Sequence, residues 1–229
     1  MRLTVIGILV LASVSGSAHA KQADVDAQQK PALDVASAAV VDGRADDALA
    51  AITPVIAAYQ HGYANEKRRI YCNITPTQTV ASLLEAAHDK VDAVAVGEPL
   101  CLAHYIKGYA LVDLGRFAEA QAEFEGLVAM APYNARYVFE LANTHRMQKH
   151  YDIAMKGYQQ AADLASMAPE GREKIERGIA WRQIGWIYVE QGDFEKGEAM
   201  YRKCLDLDPN DKKAQAELEY IARHRGKKT

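Results

Sequence analysis

The groups that could do chemistry in this 229-residue chain are seven histidines, 30 aspartates and glutamates and three cysteines, and their spacing decides what they can do. Two histidines on one helix share a zinc ion when they stand at i and i+4, with both rings on the same face. His145 and His150 are five apart, and the sequence has no H-E-x-x-H. His61, His88, His104 and His224 stand singly. Acid–base cleavage uses two carboxyl groups that face each other across a substrate bond. Asp46 and Asp47 are neighbours, and neighbours on a helix point in different directions. No G-x-S-x-G nucleophile turn follows residue 20, and residues 63–100 hold no glycine-rich phosphate loop. These histidines and acids fit surface or packing roles. The expectation is a protein that is not an enzyme, with no catalytic residue, no metal ligand and no cofactor.

The chain is 49% hydrophobic and 25% charged, with a formal net charge of -3. That is enough apolar side chain to offset the entropy of ordering, which excludes a disordered chain. Fifteen glycines and three cysteines exclude collagen-like and disulfide-dense scaffolds. The near-neutral balance gives no general attraction to nucleic acid. Arg2, the apolar stretch Leu3 to Val14 and the small-residue sequence Ala18-His19-Ala20 have the order of a secretory signal peptide over residues 1–20, with cleavage before Lys21. The apolar run is shorter than the ~20 residues a helix needs to cross a bilayer, and no cysteine follows the cut to carry a lipid. The mature chain is expected to be exported without a stable membrane anchor, into the periplasm if the source is a Gram-negative bacterium.

Internal repetition organises what remains. Cys101 to Asn134 aligns with Ala135 to Ala168 at a period of 34 residues, with Gly108 over Ala142, Phe117 over Tyr151, Ala120 over Ala154, Phe124 over Tyr158 and Leu127 over Ala161. A third copy spans 178–211, with Trp181-x-x-Ile184-Gly185-x-x-Tyr188, then Gly192-Asp193-Phe194, Gly197, Tyr201, Cys204 and Asp208-Pro209-Asn210. These residues and this spacing resemble the tetratricopeptide repeat. The resemblance implies an all-α, right-handed α-solenoid of stacked antiparallel helix hairpins. Small residues let each pair of helices approach closely, aromatic rings fill the space between hairpins, and Pro132 and Pro209 end second helices. Trp181 belongs to the core in this register.

Gly43-Arg44-Ala45-Asp46-Asp47-Ala48 parallels Gly115 to Ala120 at a separation of 72, with Ala36 matching Gly108 and Ile52 matching Phe124. Residues 21–62 are therefore expected to form a degenerate first hairpin, its second helix kinked or shortened by Pro54, and residues 63–100 an insertion. Within the insertion, Thr75-Pro76-Thr77-Gln78 has the composition of a capped helix start, and Val80, Leu83, Leu84 and Ala87 follow as an apolar stripe. Ala93 to Pro99 is expected to be a buried extended connector. Residues 169–177 suggest a polar loop or an added helical turn, and residues 212–229 a capping helix with an apolar face at Ala214, Leu218, Ile221 and Ala222, then a basic tail.

In the repeat register Cys204 fills a small-residue slot and is expected to be an inert buried thiol. Cys72 and Cys101 remain to pair in an oxidising compartment. A bridge closing a loop of about 30 residues contributes roughly 3.5 kcal/mol in the chain-entropy account.

By the same resemblance the first helix of each unit lines a concave groove. Its columns are Tyr105, Phe139 and Arg182; Tyr109, Asn143 and Trp186; and Val112, Arg146 and Val189. Tyr, Trp and Arg are the types enriched at binding hot spots, so Tyr105, Tyr109, Phe139, Asn143, Arg146, Arg182 and Trp186 are the candidate partner-binding residues, for an extended peptide or a partner helix. A second arrangement stays open, in which residues 63–100 fold back and fill the groove as a second core. Family members that grip a chaperone's C-terminal carboxylates use Lys, Arg and Asn in slots held here by Tyr105, Tyr109, Glu140, Ile179 and Gln183. None matches, and Glu140 would repel a carboxylate, so that ligand class is not expected. The expected function is a non-enzymatic protein–protein interaction scaffold in an envelope-assembly or secretion complex. The alternatives are a homo-oligomer in which the groove packs on a copy of itself, and a small-molecule carrier or enzyme accessory subunit.

Overall fold

The computed structural model describes residues 14–225. Residues 1–13, which hold most of the expected export segment, and residues 226–229 of the basic tail lie outside the described residues. The chain runs through α1 (Val14–Val41) and α2 (Ala45–Gly62), then an insertion, then α4 (Glu98–Asp113) with α5 (Phe117–Met130), α6 (Ala135–Met147) with α7 (Tyr151–Leu164), α8 (Glu173–Glu190) with α9 (Phe194–Leu207), and α10 (Lys212–His224). Each consecutive pair packs as a hairpin, and each second helix also packs on the first helix of the next pair. The result is a tetratricopeptide-like solenoid.

Every hairpin turns the same way. The second residue past each first helix has positive φ: Gly43 at 70°, Gly115 at 71°, Lys149 at 62° and Gly192 at 80°. The next residue donates its backbone N–H five residues back, Arg44 to Ala39, Arg116 to Leu111, His150 to His145 and Asp193 to Tyr188, at 2.8–2.9 Å. This is the Schellman closure, which satisfies a carbonyl the helix end would leave open. Its presence at Gly43 sets the first hairpin in the same structural register as the other three. Pro54 does not end the second helix, which continues to Gly62, with Thr53 Oγ1 donating to the Leu49 carbonyl at 2.7 Å.

The hairpins are held by a large ring seated against a small residue. Phe124, Tyr158 and Tyr201 on the second helices are almost wholly buried. A Cβ at Gly108 would lie 2.7 Å from Phe124 Cζ, and one at Gly185 would lie 3.0 Å from Tyr201 Cζ. Ala142 takes that place in the middle hairpin, where a Cβ at Gly157 would lie 2.7 Å from the Ala142 Cβ. In the first hairpin Ala36 and Ile52, both fully buried, fill these positions.

The insertion departs from an all-helical reading. β1 (Arg69–Cys72) and β2 (Ala93–Val96) pair in parallel, Arg69 opposite Ala93 and Cys72 opposite Val96, and α3 (Pro76–His88) makes the crossover that a parallel pair requires. The expected connector 93–99 is thus a half-buried strand followed by the start of α4, with Pro99 in its first turn. The stripe on α3 is also reversed. Val80, Leu83, Leu84 and Ala87 face solvent, while Gln78, Ser82 and Ala86 are buried. Hydrogen bonds explain the reversal: Gln78 Nε2 donates to the Met167 carbonyl at 3.1 Å, the Ile74 N–H donates to Gln78 Oε1 at 3.2 Å, and Thr75 Oγ1 accepts from the Gln78 N–H at 3.2 Å. Two directed amide bonds fix the face that packs, at the expense of the apolar one.

A disulfide between Cys72 and Cys101, with Cα atoms 5.9 Å apart, ties the end of β1 to α4. Cys204 is a buried free thiol whose pKa burial pushes up to about 12. Residues 169–172 form a turn, and α8 then begins at Glu173, one turn ahead of the repeat register. On α10, Ala214 and Ile221 are buried and Leu218 half-buried, but Ala222 is exposed.

Two outcomes test this packing. Gly108→Ala should cost roughly 1–3 kcal/mol by overpacking Phe124, while Gly126→Ala, where an added Cβ meets nothing within 4 Å, should gain up to ~1 kcal/mol of helix propensity. Melting curves of both variants should move in opposite directions. In denaturant without reductant a thiol reagent should label one cysteine per chain; labelling of three would contradict the bridge.

Candidate functional site

The first helices α4, α6 and α8 carry the seven candidate residues, and the structure joins most of them into one contact network. Tyr105 stacks obliquely on Tyr109 and on Tyr137, with ring centroids 6.1 Å and 5.6 Å apart. Its hydroxyl donates to Glu140 Oε1 at 3.4 Å. Glu140 is also held by Asn143, whose Oδ1 accepts from Arg146 Nε at 3.2 Å, from Arg146 Nη2 at 3.0 Å and from the Tyr158 hydroxyl at 3.3 Å. The Arg146 guanidinium lies over the Trp186 ring, 4.9 Å from its centroid, and Trp186 meets Tyr151 edge-on at 6.2 Å. Phe139 leans on the buried Tyr158 ring at 5.2 Å. A continuous line thus crosses three repeats, from Tyr109 through Tyr105, Glu140, Asn143 and Arg146 to Trp186.

Arg182 is placed differently. It forms an ion pair with Asp211, the N-cap of α10, and lines a cleft of about 610 Å³ with Gly178 and Leu207 at the end of the solenoid. It is taken up in docking the last helix rather than joined to that line. Hydrogen bonds, ion pairs and ring contacts of the seven residues run to the repeats and to Asp211. The insertion packs instead through β1 on α4 and α5, and through the start of α3 on Met167.

The electrostatics centre on two groups. Glu140 is 5% exposed, and burial raises its pKa to about 7, against the pull of Arg136 and the hydrogen bonds from Tyr105 and Asn143. Arg136, one helical turn earlier, is a member of the site that its i,i+4 spacing to Glu140 could have signalled. Among the described residues no carboxylate pairs with Arg146, whose guanidinium meets the Trp186 face, the Asn143 amide oxygen and the Met147 sulfur. Burial pushes the Tyr105 phenol up, so it stays a neutral donor. His145 and His150 lie with ring centroids 6.1 Å apart, and among the described residues no three His, Cys, Asp or Glu side chains gather to hold a metal.

A tetratricopeptide repeat family profile matches residues 133–210, and a second matches residues 103–134. Residues 103–210 are tetratricopeptide repeats. The matched span holds all seven candidate residues, and it leaves the insertion and the first hairpin outside. Among solved structures, a double mutant of MamA from Desulfovibrio magneticus RS-1 is similar with a TM-score of 0.53 at 16% identity, over 87% of this chain and 85% of that one. A point variant of a kinesin light chain-like protein of Podosopora anserina, built of nearly identical TPR-like repeats, reaches a TM-score of 0.60 at 12% identity over 88% of each chain. At these identities the likeness is one of fold. No curated protein matches the sequence.

The buried acid gives a pH test. Between the ordinary carboxyl range and pH 7 the folded chain binds a proton at Glu140 that the unfolded chain releases, so this residue's contribution to stability falls as pH rises through that window. Each tenfold change in proton affinity is about 1.4 kcal/mol. Glu140→Gln should therefore raise the melting temperature relative to the parent more at pH 8 than at pH 5. A difference independent of pH would contradict the assignment.

Proposed function

We propose that this chain is a non-enzymatic scaffold that holds an extended peptide or a helix of a partner protein along the line from Tyr109 to Trp186. The observation that carries the reading is the state of these side chains. Asn143, Arg146 and Trp186 are ordered by contacts with one another and Tyr109 by its ring contact with Tyr105, yet each stays partly exposed, whereas the rings that hold the hairpins together, Phe124, Tyr158 and Tyr201, are buried. Pre-ordered aromatic and guanidinium groups lose little side-chain entropy on binding, which is what a hot spot needs. The unpaired charge of Arg146 favours a partner that brings a hydrogen-bond acceptor to it.

The leader-like residues 1–20 support an exported protein, periplasmic in a Gram-negative source. The Cys72–Cys101 bridge fits an oxidising compartment. No helix among the described residues is long and apolar enough to cross a membrane.

Cross-linking in the native compartment, followed by identification of the captured polypeptide, tests the scaffold reading. Tyr109→Ala and Trp186→Ala should each reduce capture about tenfold or more, the loss of ~1.4 kcal/mol or more that defines an energetically important contact, while circular dichroism stays helical. Undiminished capture by both variants would reject the groove. The mature polypeptide should begin at Lys21 by mass spectrometry, and a chain retaining residues 1–20 after export would reject the leader.

A further inference from the structure

The insertion carries an apolar surface that the fold itself does not use. Val80 is 57% exposed and Leu84 65%, one turn apart on α3, so both project from the helix into solvent. Beside them, toward the end of the helix, Leu83, Ala87 and Val91 line a shallow hollow of about 410 Å³, with Lys90 and Asp92 also on its lining. A large exposed apolar patch marks an interaction site. This one is not a by-product of a degenerate helix, because α3 buries Gln78 and Ser82 through specific hydrogen bonds and thereby turns the apolar side out.

We infer that this face is a dimer interface whose occupant is α3 of a second copy of the chain, packed antiparallel across a two-fold axis near Leu84. An isologous interface needs one surface to carry both a projection and the recess that receives it, offset along the axis. The projection centred between Val80 and Leu84 and the hollow centred near Ala87 have that relation, so each copy's pair enters the other's hollow.

Charge agrees with the same partner and the same direction. Residues 76–84 contain no charged side chain, while Glu85, Asp89, Lys90 and Asp92 follow. Of these only Glu85 lies on α3 itself, and antiparallel pairing about Leu84 lays it over the uncharged half of the other helix and opposes the two helix dipoles. Parallel pairing would stack Glu85 on Glu85 and Asp89 on Asp89.

The size of the contact predicts its strength. Thirteen residues make a helix about 20 Å long. Two such helices fall short of the ~1,200 Å² of a stable interface, so the dimer is weak and reversible.

Sedimentation of the full mature chain from about 1 to 300 µM should show a monomer–dimer equilibrium. Leu84→Glu should abolish it without changing the melting temperature, since the side chain touches little in the monomer. Val41→Glu, at a position 85% exposed on α1, should leave it intact. Under mild oxidation Leu84→Cys should form an interchain disulfide and Thr77→Cys should not, because antiparallel pairing holds the two copies of residue 77 about 20 Å apart, beyond the ~7 Å between Cα atoms that a bridge tolerates. A monomer at every concentration overturns the inference, as does a dimer that survives Leu84→Glu but yields to Tyr109→Ala, or efficient bridging through Thr77→Cys. The groove reading stands or falls separately, on capture by chains carrying Leu84→Glu.

Discussion

The structure depends on one steric constraint, that the aromatic ring on each of α5, α7 and α9 must find a position without a bulky side chain on the helix before it. Phe124 over Gly108 and Tyr201 over Gly185 are so close that a single added carbon would fall within 3.0 Å of the ring. At protein packing density there is no slack to absorb it. The seat sets the spacing of the two helices, and the Schellman turn at Gly43, Gly115, Lys149 and Gly192 sets their entry. Once both are fixed, no hairpin can cover its own apolar surface, and stacking follows.

The line of contacting side chains from Tyr109 to Trp186 is a consequence of that stacking. A first helix clamped along one side to its ring has another side left over, and in successive repeats those sides align. That geometry brings Tyr105 of one repeat to Glu140 of the next and Arg146 of one to Trp186 of the next. The polar groups cost desolvation, which is why Glu140 holds its proton up to about pH 7. They return order: a hydrogen-bonded spine fixes side chains that would otherwise sample many rotamers, and a fixed surface binds at lower entropic cost.

The repeat core is legible in the amino-acid sequence because its constraint is local and recurs. Gly108, Ala142 and Gly185 against Phe124, Tyr158 and Tyr201 repeat in register, and even the divergent first hairpin keeps Gly43, Ala36 and Ile52 in place. The residue types along the first helices are legible by the same register, but their couplings are not. Arg182 shares a column with Tyr105 and Phe139, yet Asp211 draws it to α10, a pairing set by how the last helix docks. The insertion is the least legible part. Arg69 to Cys72 is too short to show an alternating pattern, so β1 leaves no periodic trace and β2 looks like a connector. Periodicity on α3 shows that an apolar face exists but not which face packs, and the deciding contact is Gln78 with the Met167 carbonyl, 89 residues away.

The proposed scaffold role requires that the first-helix face, and not the outer face of the solenoid, receives a partner. Site-specific photo-cross-linking in the native compartment addresses it directly, with the reactive side chain placed in turn at Tyr109, Asn143 and Arg146 on the groove and at Ile153 and Gln160 on the exposed side of α7. The expected result is the same partner adduct from the three first-helix positions and none from the two on α7. Adducts confined to Ile153 and Gln160, or equal from both faces, would contradict it.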